Sequence, residues 1–166
     1  MIDLDKLFRN YKVKRFKDED IDEIFSFCMS NPVYYEICGN TLTRDNIRSD
    51  LKLVPDGIDL KDKYYIGLYD DDRLICIIDF VDNYPEKGYI FIGFFMADGL
   101  IGNKGIGSNI IDELVDSFKK MRYKSIRLAY DRENPQSSHF WKKNGFVKIG
   151  EKKHEYGNMM IAERIL

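Results

Sequence analysis

Cysteine is scarce in this chain, and the three present, Cys28, Cys38 and Cys76, are scattered and odd in number. No Cys-x-x-Cys pair occurs, so a disulfide framework is not expected and a reducing compartment is. Histidine is scarcer. His139 and His154 stand apart from any cysteine ligand pattern, and no metal site is expected. Charge of one sign is not in excess either. The 26 basic and 28 acidic residues sum to −2, which argues against a nucleic-acid partner. Long apolar runs are missing. The longest, Tyr89 to Ala97, is far too short to cross a bilayer, so no membrane partner is expected. The opening residues Met1-Ile2-Asp3-Leu4-Asp5-Lys6 put charges where an export signal needs an apolar core, and the cytoplasm is the expected location. Internal repeats and Pro/Gly/Ser-rich linkers are absent as well. What remains is a chain with 44% hydrophobic and 33% charged residues, the composition of an ordinary globular protein, and residues 1–166 read as one domain.

Periodicity sets the elements. Tyr11 to Phe16 alternates as a first strand. Asp18 to Ser30 carries Ile21, Ile24, Phe25 and Cys28 at helical spacing, with Asp18 as N-cap and Asn31-Pro32 as the stop. Residues 31–36 are then expected to be a loop. A short helix follows from Thr43 to Leu51. Tyr64–Tyr69 and Leu74–Val81 flank a polar turn and predict a hairpin, which Tyr89–Met96 extends into a meander. Tyr89–Met96 is apolar on both faces and is expected to be central. The stripe Ile110, Ile111, Leu114, Val115 and Phe118 marks a helix from Asn109 to Met121. It joins Tyr89–Met96 to a strand at Ser125–Tyr130, a crossover that makes those two strands parallel. Pro135–Lys143 is a helix capped by Asn134, and Phe146–Gly150 with Met159–Ile165 forms a last strand pair. The expected fold class is α/β (α+β), with a mixed, mostly antiparallel sheet flanked by helices.

Between the third meander strand and the longest helix lies Gly102-Asn103-Lys104-Gly105-Ile106-Gly107-Ser108. A glycine-rich turn feeding a helix start presents unpaired N–H groups at the positive end of the helix dipole, a cradle for phosphate oxygens. A nucleotide P-loop requires Gly-Lys-Ser/Thr, and here Lys104-Gly105 has the reverse order. A dinucleotide fingerprint requires a third glycine where Ile110 stands.

The order of elements, with this turn in it, resembles the GNAT superfamily of acetyl-coenzyme A-dependent N-acetyltransferases over nearly the whole chain. Two motifs carry the resemblance. Gly102 to Gly107 matches the pattern Gln/Arg-x-x-Gly-x-Gly/Ala at Gly105 and Gly107, with Gly102 in place of Gln or Arg. Asn134 to Phe146 matches Asn-x-x-Ala-x-x-x-Tyr-x-x-x-Gly-Phe at Asn134, Gly145 and Phe146, with Ser137 for Ala and Trp141 for Tyr.

The resemblance implies a single-domain fold whose two central strands splay apart to admit the pantetheine arm. Phe95 and Met96 would then lie along the coenzyme. Asn103, Lys104, Gly105, Ile106, Gly107 and Ser108 would surround its pyrophosphate, with Asn134 and Trp141 as further contacts. It implies acetyl-CoA or coenzyme A as cosubstrate, no metal, and a small-molecule or peptide amine as acceptor. Trp141 replaces a family Tyr that donates a proton to the leaving thiolate, and an indole N–H is no acid near neutral pH. Ser138 and Tyr130 are the nearby hydroxyls left for that role, with water as the alternative. Asp79 interrupts an apolar strand and needs a partner or a wet pocket, so it reads either as a general base or as half of a buried salt bridge. Tyr34, Tyr35 and Glu36 lie where the family closes over its acceptor. The expected activity is acetyl transfer to a primary amine by direct attack in a ternary complex. A non-catalytic acyl-CoA sensor, an enzyme using another acyl chain or a hydroxyl acceptor, and a homodimer all remain open at this level.

Overall fold

The computed structural model describes residues 2–39, 41–98, 105–154 and 157–166. Within them the elements run β1 (Lys12–Arg15), α1 (Ile21–Cys28), α2 (Pro32–Cys38), α3 (Arg44–Asp50), β2 (Lys63–Asp70), β3 (Arg73–Asp82), β4 (Tyr89–Ala97), α4 (Ile106–Lys120), β5 (Ser125–Asp131), α5 (Pro135–Lys143), β6 (Val147–His154) and β7 (Gly157–Ile165). The strands form one seven-stranded sheet in the order β1-β2-β3-β4-β5-β7-β6. β4 is the middle strand, as its two apolar faces require. Among the described residues only the β4–β5 pair is parallel, and α4 makes the crossover between them.

Each face of the sheet carries its own core. On one face Ile78, Phe80, Ile90 and Ile92 pack with the α4 stripe Ile110, Ile111, Leu114 and Phe118. Fully burying such side chains stabilises by about 1.5–3 kcal/mol each. On the other face Tyr65, Ile77 and Met96 pack under Ile21, Ile24 and Phe27 of α1 and Ile47 of α3. Thr43 caps α3 by accepting from the Asn46 N–H at 3.1 Å, and Asn134 caps α5 by accepting from the Ser137 N–H at 3.0 Å.

The structure corrects the reading of residues 31–36 as a loop. Pro32 ends α1 and also begins α2. Asn31 is non-helical at φ −130°, ψ 65°, as a residue before proline must be, while Pro32 itself fits the first helical position. Gly39, left-handed at φ 65°, closes α2. The last hairpin is also longer than expected, pairing Val147 through His154 with Gly157 through Glu163.

Candidate active site

The β4–β5 ladder runs from Tyr89↔Ser125 to Ile92↔Leu128 and stops there. Both strands continue. β4 stays paired with β3 as far as Ala97, and β5 with β7 as far as Asp131. Residues 93–97 and 129–131 therefore face a cleft, and among the described residues neither edge is paired across it. The divergence begins at a β-bulge. Phe80 pairs with Ile92 and Asp79 with Phe94, so Gly93 is the extra residue.

The bulge reverses the facing of every side chain beyond it. Ile90 and Ile92 pack on the α4 side, but Phe94 and Met96 pack on the α1–α3 side. Phe95 thus lines the cleft and Met96 does not; its side chain, 3% exposed, is buried in the opposite core.

The cleft encloses about 250 Å³, with Phe95, Tyr130, Asn134, Ser137 and Trp141 in its wall. Phe95 stacks on Phe140 with ring centres 5.4 Å apart and meets Trp141 at 5.5 Å, and Trp141 meets Phe146 at 5.1 Å. The two contacts of Phe95 hold α5 against β4. Ser138, one helical step past Ser137, is not in the wall. At the start of α4, Gly105 is left-handed at φ 74°, and Ile106, Gly107 and Ser108 form the first turn, whose N–H groups have no acceptor within the helix. A Cβ on Gly107 would lie 3.2 Å from Phe140, whereas one on Gly105 would meet nothing within 4 Å. Gly102, Asn103 and Lys104 lie outside the described residues.

On the α1–α3 side a larger chamber, about 760 Å³, opens over Asp79, Lys63, Tyr65, Tyr34 and Tyr35, with Asp50 at the end of α3. Glu36 is exposed and does not line it. Cleft and chamber share Tyr34, Gly93 and Phe94, so they meet where the strands part. Tyr34 stands edge-on to Phe94 with ring centres 5.5 Å apart.

Asp79 is both a paired residue and a chamber residue. Its Oδ2 accepts from Lys63 Nζ at 2.8 Å, and the two side chains are 13% and 4% exposed. Its Oδ1 is buried without a partner among the described residues. Burial pushes its pKa up to about 6, against the downward pull of Lys63. A Cβ on Gly93 would lie 3.0 Å from Asp79 Oδ2, so the missing side chain at the bulge opens the carboxylate toward the junction. Burial likewise raises the pKa of Asp50, and that of Tyr35, whose hydroxyl is paired with Cys28.

A family model described as the acetyltransferase (GNAT) family matches residues 14–146. The chain belongs to that family. It is an acyltransferase, and GNAT enzymes use acetyl-CoA. Solved GNAT structures share the fold. An acetyltransferase from Thermus thermophilus aligns with a TM-score of 0.74 at 15% identity, covering 95% of this chain and 98% of that one. The paia N-acetyltransferase from Thermoplasma acidophilum, solved with coenzyme A, gives 0.64 at 16% identity over 95% and 100%. A spermidine N-acetyltransferase chimera of Vibrio cholerae SpeG gives 0.65 at 15% identity over 95% and 96%. No curated protein sequence matches the chain. Among the described residues no helix is long and apolar enough to cross a membrane, and no group of three or more His, Cys, Asp or Glu is placed to hold a metal ion.

Four residues of this GNAT chain that bear on the site were not singled out from sequence: Lys63, Tyr65, Asp50 and Gly93. The signal for Lys63 and Tyr65 was the alternation of β2, which puts both on one face. That face becomes the Asp79 face only through a bulge at Leu68/Tyr69.

Proposed function

We propose that residues 1–166 act as one cytoplasmic N-acetyltransferase that moves an acetyl group from acetyl-CoA to a primary amine by direct attack in a ternary complex. The observation that carries this reading is the end of the β4–β5 ladder at Ile92/Leu128 with a cavity on each side of Gly93. One cavity suits an extended thioester arm and the other an acceptor. Their junction is where the two reactants would meet.

The chain's own groups fit a coenzyme. The edges at 93–97 and 129–131 offer main-chain N–H and C=O groups that an amide-containing arm can pair with, as an added strand does. The first-turn amides of Ile106, Gly107 and Ser108 suit a diphosphate. Asn103 and Lys104 complete that loop in the proposal. Bound acetyl-CoA supplies an activated acyl carbon. Main-chain N–H groups past the Gly93 bulge polarise the carbonyl and hold the charge that develops on its oxygen. Asp79, with its pKa near 6, takes a proton from the incoming ammonium, directly or through water. Tyr34 and Tyr35 wall the acceptor side, and Glu36 serves only at its rim. Trp141, Phe95 and Asn134 shape the thioester side. Tyr130 lines the cleft and Ser138 does not, so Tyr130 is preferred over Ser138 as a proton source for the thiolate.

The test is thiol release from acetyl-CoA across small amines and peptide N-termini. The reading expects free coenzyme A and acetylated amine in equal amounts. Protein that neither binds coenzyme A nor releases thiol with any acceptor would contradict it.

A further inference from the structure

The acceptor chamber has a balance of charge that speaks to what it takes in. Asp50 and Asp79 line it against Lys63 and Lys152, a formal sum of zero. The innermost pair cancels directly, since Lys63, 4% exposed, holds Asp79 at 2.8 Å. The same ammonium lies 5.7 Å from the centre of the Tyr65 ring. A cation is thus already built into the floor, between a carboxylate and an aromatic face. Asp50 lines the same space, where burial works against its charged form. Lys63 already matches Asp79, so among the described carboxylates of the chamber Asp50 alone is left to meet a further ammonium, and each added positive charge also faces Lys63 and Lys152. Like charges in a poorly screened chamber cost affinity.

The walls offer something different. Tyr34, Tyr35, Tyr65 and Phe94 form a chain of rings, with centres 5.1 Å apart for Tyr34–Tyr35, 5.5 Å for Tyr34–Phe94 and 6.4 Å for Tyr65–Phe94. Leu53, 68% exposed, extends the apolar lining to the mouth. Such surfaces reward flat apolar bodies and a single cation at a ring face.

We infer that the acceptor is a monocationic primary amine carried on an aromatic body, and that the chamber discriminates against polyamines. The inference rests on the acyl-transfer reading above and names the substrate class of that same site. The body lies among Tyr34, Tyr35 and Phe94, and its one ammonium reaches the junction at Gly93 beside Asp79.

The experiment compares phenethylamine, tyramine, putrescine and spermidine in two ways. Thiol release from acetyl-CoA gives kcat/KM, and calorimetry on protein saturated with coenzyme A gives binding. The expected result is a kcat/KM for the aromatic amines about tenfold or more above that for either polyamine. Tyr34→Leu, checked for fold by circular dichroism, weakens phenethylamine binding several-fold. Turnover of spermidine or putrescine equal to or above that of the aromatic amines overturns the inference and leaves acyl transfer standing. So does an absence of phenethylamine binding, or an unchanged affinity in folded Tyr34→Leu. Failure to bind coenzyme A overturns both readings.

Discussion

Lys63 and Asp79 form a buried ion pair, Nζ to Oδ2 at 2.8 Å, at the floor of a chamber that opens onto the parting of β4 and β5. Lysine holds the carboxylate partly ionised, while burial and an orphaned Oδ1 oppose ionisation. The balance leaves a base whose pKa, about 6, lies close to working pH.

Activity is therefore expected to fall on the acid side. Below pH 6 Asp79 carries a proton and cannot accept another, so kcat/KM should show an acid limb with its midpoint near about 6. Asp79→Asn should remove that limb and lower kcat by about 10²-fold or more. The raised pKa also has a stability consequence. The native state holds this proton more tightly than the unfolded chain, so the contribution is full below pH 3.8 and is lost as pH rises through about 6. Urea unfolding of wild type and Asp79→Asn at pH 4 and pH 7 measures the difference.

Removing the lysine acts in a known direction. Lys63→Met takes away the attraction that keeps the Asp79 pKa down. A carboxyl ¹³C titration should place the variant's midpoint above that of the wild type. Leaving the buried carboxylate without its partner should cost about 3–5 kcal/mol at pH 7, read from urea unfolding. An unchanged midpoint would separate Lys63 from the control of Asp79.

The size of residue 93 bears directly on Asp79. A Cβ there would lie 3.0 Å from Asp79 Oδ2, so Gly93→Ala must displace the carboxylate by a few tenths of an ångström. Small misplacements of reacting groups are costly, and kcat is expected to drop about tenfold or more while coenzyme affinity changes little. Steady-state kinetics with calorimetry separates the two effects.

Gly105 offers a clean probe of the phosphate loop. Its φ of 74° is left-handed, which aspartate tolerates better than most residues, and a Cβ there has open space. Gly105→Asp should stay folded, lose about 1 kcal/mol of stability, and bind coenzyme A at least about tenfold more weakly because like charge meets the phosphates. The fluorescence of Trp141, the single tryptophan and a wall of the cleft, reports the titration.

Much of the architecture was legible because hydrophobic spacing and caps both pointed to it. The α4 stripe, the Asn134 cap with Pro135 and the parallel crossover all stand as the sequence reading expected. What escaped that reading depends on one-residue slips. The turn at Asp70–Arg73 sets a register that would put Tyr64 opposite Asp79, but the irregularity at Leu68/Tyr69 moves Tyr65 there instead. The ion pair of Lys63 and Asp79 follows from that slip. The bulge at Gly93 does the same to β4, which is why Phe95 faces the cleft and Met96 does not. Residues 31–36 read as a loop when Pro32 counts only as a stop, but proline also fits the first position of a helix.

The account depends most on an extended ligand lying between two strands that stop pairing after Ile92 and Leu128. A crystal structure with coenzyme A bound tests this directly. The expected result is density for the pantetheine arm along main chain 93–97 and 129–131, with the diphosphate at the first turn of α4. Coenzyme lodged at another surface, or β4 and β5 paired through to Ala97 and Asp131, would contradict it.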